Sequence, residues 1–294
     1  FVCSEVQWLS YHTSHQAGQM VGSTRYYRQT QAEAPSGVRL PELETDAPVF
    51  HEWSTLMDPA GHRWIVFDRS SQYGLYDTLY IDSDGDGALD DEKAVKGRQV
   101  SQYEVEFGRV PVYFTSEDGP ITYHLNFGFY SSNQDNRYAT VSAGCWYEGQ
   151  VDIAGKPTRC VLVDYNCNGT FDDKTTDRIV IGPENNDFTG WVGNYLEVDD
   201  SLYRLSVAKD GAFVELTPAP DVAYGTVTMP ETISSFAAYG DNGMYERDVE
   251  DGRVTLPEGQ YRVYRWDIER TDEKGAAWTL SGSGFREHTA FTVA

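Results

Sequence analysis

From residue 49 onward, hydrophobic and polar positions alternate in short runs rich in β-branched and aromatic residues. Arg63-Trp64-Ile65-Val66-Phe67, Asp77-Thr78-Leu79-Tyr80-Ile81 and Tyr103-Glu104-Val105-Glu106-Phe107 are of this kind. So are Val110-Pro111-Val112-Tyr113-Phe114 and Ile121-Thr122-Tyr123-His124-Leu125-Asn126-Phe127, and all are bounded by Gly, Pro, Asn and Asp turns. Such a pattern predicts β-strands. A second block predicts strands at 138–142, 146–153, 159–163, 178–181, 203–207 and 212–216, and a third, after Pro218-Ala219-Pro220, at 223–229, 253–256, 261–266, 278–281 and 289–293. No window of comparable length carries a 3.6-residue apolar period, so helix is expected to be scarce. The expected fold is all-β, with tandem β-sandwich-like domains over 49–135, 136–219 and 220–294. Residues 1–48 lack either period and run through Ala34-Pro35-Ser36-Gly37 and a Pro41 to Pro48 stretch of linker composition, which predicts an N-terminal arm. The arm is expected to be ordered by lying on another surface, its own domain's or a neighbour's.

The first two blocks match beyond their class. Leu79-Tyr80-Ile81-Asp82 enters one loop as Val161-Leu162-Val163-Asp164 enters another. Loop A reads Asp82-Ser83-Asp84-Gly85-Asp86-Gly87-Ala88-Leu89-Asp90-Asp91-Glu92, and loop B reads Asp164-Tyr165-Asn166-Cys167-Asn168-Gly169-Thr170-Phe171-Asp172-Asp173. Both place oxygen ligands at positions one, three and five, a turn-forming Gly at six, a backbone carbonyl at seven and an apolar anchor at eight. Hard oxygens at flexible geometry suit Ca2+ better than Mg2+. The candidate metal ligands are therefore Asp82, Asp84, Asp86 and Ala88 in loop A, and Asp164, Asn166, Asn168 and Thr170 in loop B. Loop A, with three carboxylates, is expected to bind more tightly than loop B, whose third and fifth positions are neutral.

These loops resemble those of EF-hand, dockerin and thrombospondin type 3 proteins, with two departures. A strand precedes each loop instead of a helix, and the twelfth position is Lys93 or Thr175 where the EF-hand has a bidentate Glu. The closing ligand must come from Asp90, Asp91 or Glu92 in loop A, from Asp172 or Asp173 in loop B, or from elsewhere; Asp91 and Asp173, which share a position, are favoured. Without flanking helices to reorient, the expected role is structural bracing, not signalling. The competing reading is a pair of metal-free Asx turns. A third copy begins at Asp177-Arg178-Ile179-Val180-Ile181, but its loop, Gly182-Pro183-Glu184-Asn185-Asn186, lacks the first Asp, and no third ion is expected there.

Charge and composition narrow the partners. With 46 acidic against 23 basic residues in 294, the net charge is -23, a poor match for nucleic acid or anionic membrane. No apolar run is long enough for a transmembrane segment, and a start at Phe1 without a Met fits a processed, secreted chain. Four cysteines lack zinc-site spacing. Strands folding about Gly155-Lys156-Pro157 would set Cys145 opposite Cys167 for a disulfide, leaving Cys160 for Cys3 or for solvent; the alternative is four reduced cysteines of a cytosolic protein. His12 and His15 have no third ligand nearby and read as surface residues. No nucleophile elbow, phosphate loop or zinc-protease motif is present. Asn168-Gly169-Thr170 is formally a glycosylation sequon, though its Asn is better used on calcium. With 7 Trp and 20 Tyr, exposed aromatics that stack on sugars are conceivable, although core packing is the commoner fate.

Two further resemblances bear on function. The stretch Gly252 to Val263, with its Leu256-Pro257-Glu258-Gly259-Gln260-Tyr261-Arg262-Val263, is similar to the hairpin of PEGA-like and transthyretin-like β-sandwich modules, which implies a C-terminal sandwich and nothing specific about activity. Residues 49–217 resemble secreted bacterial proteins of tandem β-domains with strand-borne Asp/Asn/Gly calcium loops. That resemblance implies an extracellular or cell-surface location and calcium, without a reaction. The expectation is a non-enzymatic structural or adhesive protein, such as a subunit of a surface layer or filament, whose partners are copies of itself, other cell-surface components or polysaccharide. The rivals are a carbohydrate-binding accessory module and a secreted hydrolase with an unrecognised site.

Overall fold

The computed structural model describes residues 6–21, 26–116, 119–133, 136–182, 190–283 and 290–294. Among these the chain is all-β, with a single four-residue helix. Three short strands, β1 (Val6–Trp8), β2 (Ser10–Thr13) and β3 (Tyr26–Arg28), come first, with helix α1 (Ala17–Met20) between the last two. Next, β4 (Val49–Ser54), β5 (His62–Arg69), β6 (Tyr76–Ile81) and β7 (Val95–Lys96) form an antiparallel meander. A second meander follows in β8 (Arg98–Gln99), β9 (Glu104–Ser116), β10 (Gly119–Ser131) and β11 (Arg137–Ala143). The same plan then recurs: β12 (Cys145–Ile153), β13 (Lys156–Val163), β14 (Arg178–Ile181) and β15 (Gly190–Trp191), then β16 (Tyr195–Val198), β17 (Ser201–Val207) and β18 (Phe213–Pro218). Loop A joins β6 to β7, and loop B joins β13 to β14.

The N-terminal arm lies on its own chain. An edge strand exposes unpaired N–H and C=O groups, and β1 pairs β18, β2 pairs β12 and β3 pairs β11, so the arm covers one edge in each of three sheets. Further along, Val38, Leu40 and Leu43 pack on a cluster of Phe50, Val66, Tyr80 and Leu89. One hydrophobic core runs from Leu9 to Leu216, so the two loop-bearing blocks, 49–135 and 136–219, share their buried surface. The inward alternation along β9 changes phase at Gly108-Arg109, where Arg109 has φ 54 and the register on β10 shifts between Leu125 and Phe127. The Asn126 side chain fills this bulge, accepting from the Arg109 N–H at 2.7 Å and donating to the Ser14 and Ala143 carbonyls.

The expected Cys145–Cys167 disulfide is not formed. The hairpin turns at Ala154-Gly155, both with positive φ (53 and 81), in the two-residue geometry that suits strand twist. Ile153 therefore pairs with Lys156 and Gly149 with Cys160, and Cys167 falls beyond the strand, inside loop B. Cys145, Cys160 and Cys167 are all buried, and Cys3 lies outside the described residues.

The C-terminal strands, β19 (Tyr224–Thr228), β20 (Ser235–Gly240), β21 (Gly243–Asp248), β22 (Arg253–Pro257), β23 (Gly259–Thr271), β24 (Ala277–Ser283) and β25 (Ala290–Val293), form two sheets around a core of their own. β19 pairs β22; the larger sheet runs β21-β20-β23-β24, with β25 also on β23. The stretch expected as a hairpin instead crosses between the sheets at Glu258, because β22 and β23 pair with different partners. Buried Tyr261 fixes the crossing by donating its hydroxyl to the Pro257 carbonyl at 2.9 Å, a tyrosine corner. No helix among the described residues is long and apolar enough to cross a membrane.

Candidate metal centre

Loop A begins where buried β6 ends, which leaves Asp82 only 3% exposed. Its carboxylate accepts the N–H of Gly85 at 2.8 Å and of Gly87 at 3.1 Å. Asp84 accepts from the Asp86 N–H at 3.2 Å, and Asp86 from the Ala88 N–H at 2.7 Å. This staircase of Asx turns needs left-handed backbone at positions four and six, and Gly85 and Gly87 supply it with φ 81 and 80. At position eight, Leu89 is fully buried and donates its N–H to the Arg39 carbonyl at 2.8 Å, anchoring the loop to the arm.

The result is a group of three carboxylates, from Asp82, Asp84 and Asp86, whose ligand oxygens lie within 4.8 Å of one another. Their hydrogen-bond donors are backbone N–H groups, and Arg39 Nη2, 3.6 Å from Asp86, adds a formal positive charge at the rim. Arg63, 2% exposed, lies beneath: it pairs with Asp58 at 3.0 Å and donates to the Ser83 carbonyl at 2.7 Å and the Tyr113 carbonyl at 2.8 Å. Burial raises the Asp82 pKa, opposed by the Gly85 N–H and by Arg63.

The acid that hydrogen-bonds back to the start of loop A is Glu92. It accepts both the backbone N–H of Ser83 and, at 2.9 Å, the Ser83 hydroxyl. Its pKa is raised by burial and by the nearby charges of Asp84 and Asp82. Asp91, the favoured candidate, is exposed and makes no hydrogen bond or ion pair among the described residues, while Asp90 pairs with Arg39 at 3.1 Å.

Loop B repeats the staircase in a buried setting. Asp164 accepts the N–H groups of Asn168 and Gly169 and, at 2.7 Å, the hydroxyl of buried Tyr123. Asn166 accepts from the Asn168 N–H, and Asn168 from the N–H and hydroxyl of Thr170. The amides of Asn166 and Asn168 donate to Asp173 at 3.0 and 2.6 Å, so Asp173 reaches across its loop as Asp91 does not. Cys167 holds position four with φ 60, and its carbonyl accepts the Trp53 indole N–H at 2.7 Å. Asp177, which the loop spacing gave no reason to choose, accepts the N–H groups of Tyr165 and Asp173. It does for loop B what Glu92 does for loop A, since both carboxylates hold the N–H of position two. Burial pushes Asp164 up to about 7, and burial together with the Asp164 charge pushes Asp177 well above the usual carboxylate range.

Comparison with protein-family models, curated proteins and solved structures finds no match. The donor chemistry therefore stands on the geometry of the chain itself. The gathered carboxylates of Asp82, Asp84 and Asp86 form a hard-oxygen group that could hold a metal ion. In loop B the polar side chains satisfy one another. The two loops meet at the end of β9: the Arg63 guanidinium lies 4.4 Å over the Phe114 ring, and that ring lies 3.5 Å from a Cβ placed on Gly169. The expected third loop at Gly182 to Asn186 lies largely outside the described residues. His12 stacks on Trp146 at 5.3 Å, and the His15 ring covers Gly108, so the two histidines serve packing.

Proposed function

We propose that this chain is a non-enzymatic, extracellular, calcium-binding structural or adhesive protein that works as a subunit of a cell-surface layer or filament. The observation that carries the reading is the convergence of Asp82, Asp84 and Asp86 within 4.8 Å on a loop that otherwise offers them backbone N–H groups. A divalent cation turns that mutual repulsion into attraction. A loop without the EF-hand's bidentate twelfth ligand belongs with extracellular modules of about 10⁻⁴–10⁻³ M affinity, which millimolar calcium outside cells fills. Bracing follows from position: an ion in loop A would lock the β6–β7 connection, Leu89 and the arm residues behind it into one unit.

Because the arm is used within its own chain, association has to use other edges. β24 is one, with Trp278 44% and Leu280 50% exposed on the rim of the C-terminal sandwich, and such an edge invites pairing with a second copy or another surface component. The test is electron microscopy and light scattering of the purified protein in millimolar calcium and in EGTA. Calcium-dependent polymers, lost in a Trp278→Lys variant, are expected. A monomer under both conditions would refute the assembly role.

A further inference from the structure

We infer that the cleft between the C-terminal sandwich and the end of loop B is a binding site for a neutral glycan. The cleft has a volume of about 660 Å³, within the range of small-ligand sites. Its floor is one face of the larger sheet: Tyr239 on β20 is opposite Arg262 on β23, Arg262 is opposite Ala290 on β25, and Gln260 is opposite Thr292. Asp241, in the turn after β20, forms a wall.

None of the side-chain polar groups of Tyr239, Asp241, Gln260, Arg262 and Thr292 makes a hydrogen bond or ion pair with another described residue. Arg39, Arg63, Arg98, Arg159, Arg204, Arg247 and Arg265 hold carboxylates, whereas exposed Arg262 has no ion pair among the described residues. Arg262 and Asp241 line the same cleft without pairing. The lining thus presents a five-donor fork, an acceptor-only carboxylate and an amide with both functions, beside the tyrosine ring. Vicinal ring hydroxyls, each both donor and acceptor, match that set, and the apolar face of a pyranose matches the ring. Charge selects the class: Asp241 and Arg262 cancel, and the acidic molecule repels a polyanion, so the ligand is an uncharged sugar chain.

The site is independent of calcium at loop A. Affinity electrophoresis of the full chain in soluble xyloglucan, galactomannan and mixed-linkage β-glucan, with polygalacturonate as the anionic comparison, tests it. At least one neutral polymer should retard the protein, and Arg262→Ala or Asp241→Ala should weaken that binding about tenfold or more, the size of one charge-assisted hydrogen bond. Arg98→Ala, an equal change of charge elsewhere, should bind as the parent does, and so should Asp82→Asn. Gln260→Ala, exposed and outside the core, provides a second lining variant if either of the first two fails to fold. No retardation by any neutral polymer, retardation by polygalacturonate alone, or undiminished binding by the folded lining variants would overturn the inference.

Discussion

Replacing Asp84 with Asn separates the repulsive and the ion-binding roles of loop A within one side chain. The carboxylate is exposed, and its one internal hydrogen bond, from the Asp86 N–H at 3.2 Å, survives because an Asn carbonyl oxygen accepts equally well. What changes is charge. At the 4.8 Å outer limit of the cluster, two carboxylates in a water-like dielectric repel by about 0.9 kcal/mol. Asp84 faces two such partners, and salt screening removes about half of the summed repulsion, so without calcium Asp84→Asn should stabilise the fold by about 1 kcal/mol, or roughly 2–4 °C in melting temperature for a chain of this size. With free calcium at about 100 times a Kd of ~10⁻⁴ M, the parent gains about 2.7 kcal/mol. A variant with tenfold weaker affinity gains about 1.4 kcal/mol. The calcium-induced rise in melting temperature should thus halve, from roughly 5–10 °C, while the EGTA baseline moves up. Differential scanning calorimetry in EGTA and in calcium, with magnesium as the ion control, reads both quantities. A parent whose melting ignores calcium, or a variant with the parent's full calcium increment, would refute the reasoning.

Two further outcomes follow from the buried charges. Arg63→Met leaves the Asp58 carboxylate, 6% exposed, without its guanidinium partner and the Ser83 and Tyr113 carbonyls without their donor; a loss of about 3–5 kcal/mol is expected, read as a fall in urea midpoint, and a fall under about 1 kcal/mol would remove Arg63 from the bracing of loop A. In loop B the folded-state pKa values of Asp164 (about 7, against 3.8) and Asp177 are raised, so the native state binds more protons than the unfolded chain between pH 4 and 7. This contribution to stability in EGTA is therefore full below about pH 4 and is lost as pH rises from there through 7, by an amount on the order of 2–4 kcal/mol; Asp177→Asn should flatten the profile, and a parent melting temperature that rises over this window would show the sign to be wrong.

How much of this was legible in the sequence depended on the range of the interaction. Strand alternation and the Asx staircase are local, so β5, β6, β9, β10 and the positions of Asp82, Asp84 and Asp86 could be read directly. Turn chemistry misled where two signals competed. Gly155-Lys156-Pro157 looks like the hairpin centre, but the chain turns at Ala154-Gly155, and that shift removed the expected disulfide. The arm, β1 to β3, has no period of its own because each strand is only three or four residues long and takes its conformation from β18, β12 and β11. Glu92 stood among the candidates for closing loop A, whereas Asp177 was hidden for a related reason. Glu92 and Asp177 hold equivalent N–H groups from different distances along the chain, which the fold equalises and ligand spacing does not encode.

The contrast between the twin loops is a matter of burial. Loop A lies at the rim, with Asp84 and Asp86 exposed, where water tolerates three carboxylates and an ion can reach them. Loop B is packed under Trp53, Tyr123 and Phe171, each no more than 2% exposed, and there every unpaired charge carries a desolvation cost. The neutral Asn166 and Asn168 at positions three and five fit that setting, because their amides donate to Asp173 where a second and third carboxylate would only repel it. Asp164 keeps its acid at position one, yet Tyr123 and two backbone N–H groups occupy its oxygens. One spacing therefore yields two devices. Loop A gathers three carboxylates that only backbone N–H groups and Arg39 offset, whereas loop B adds side-chain amides and a tyrosine hydroxyl to its acids, and an Asn168→Asp change, which restores charge to a buried ring, should be tolerated only with a cation present.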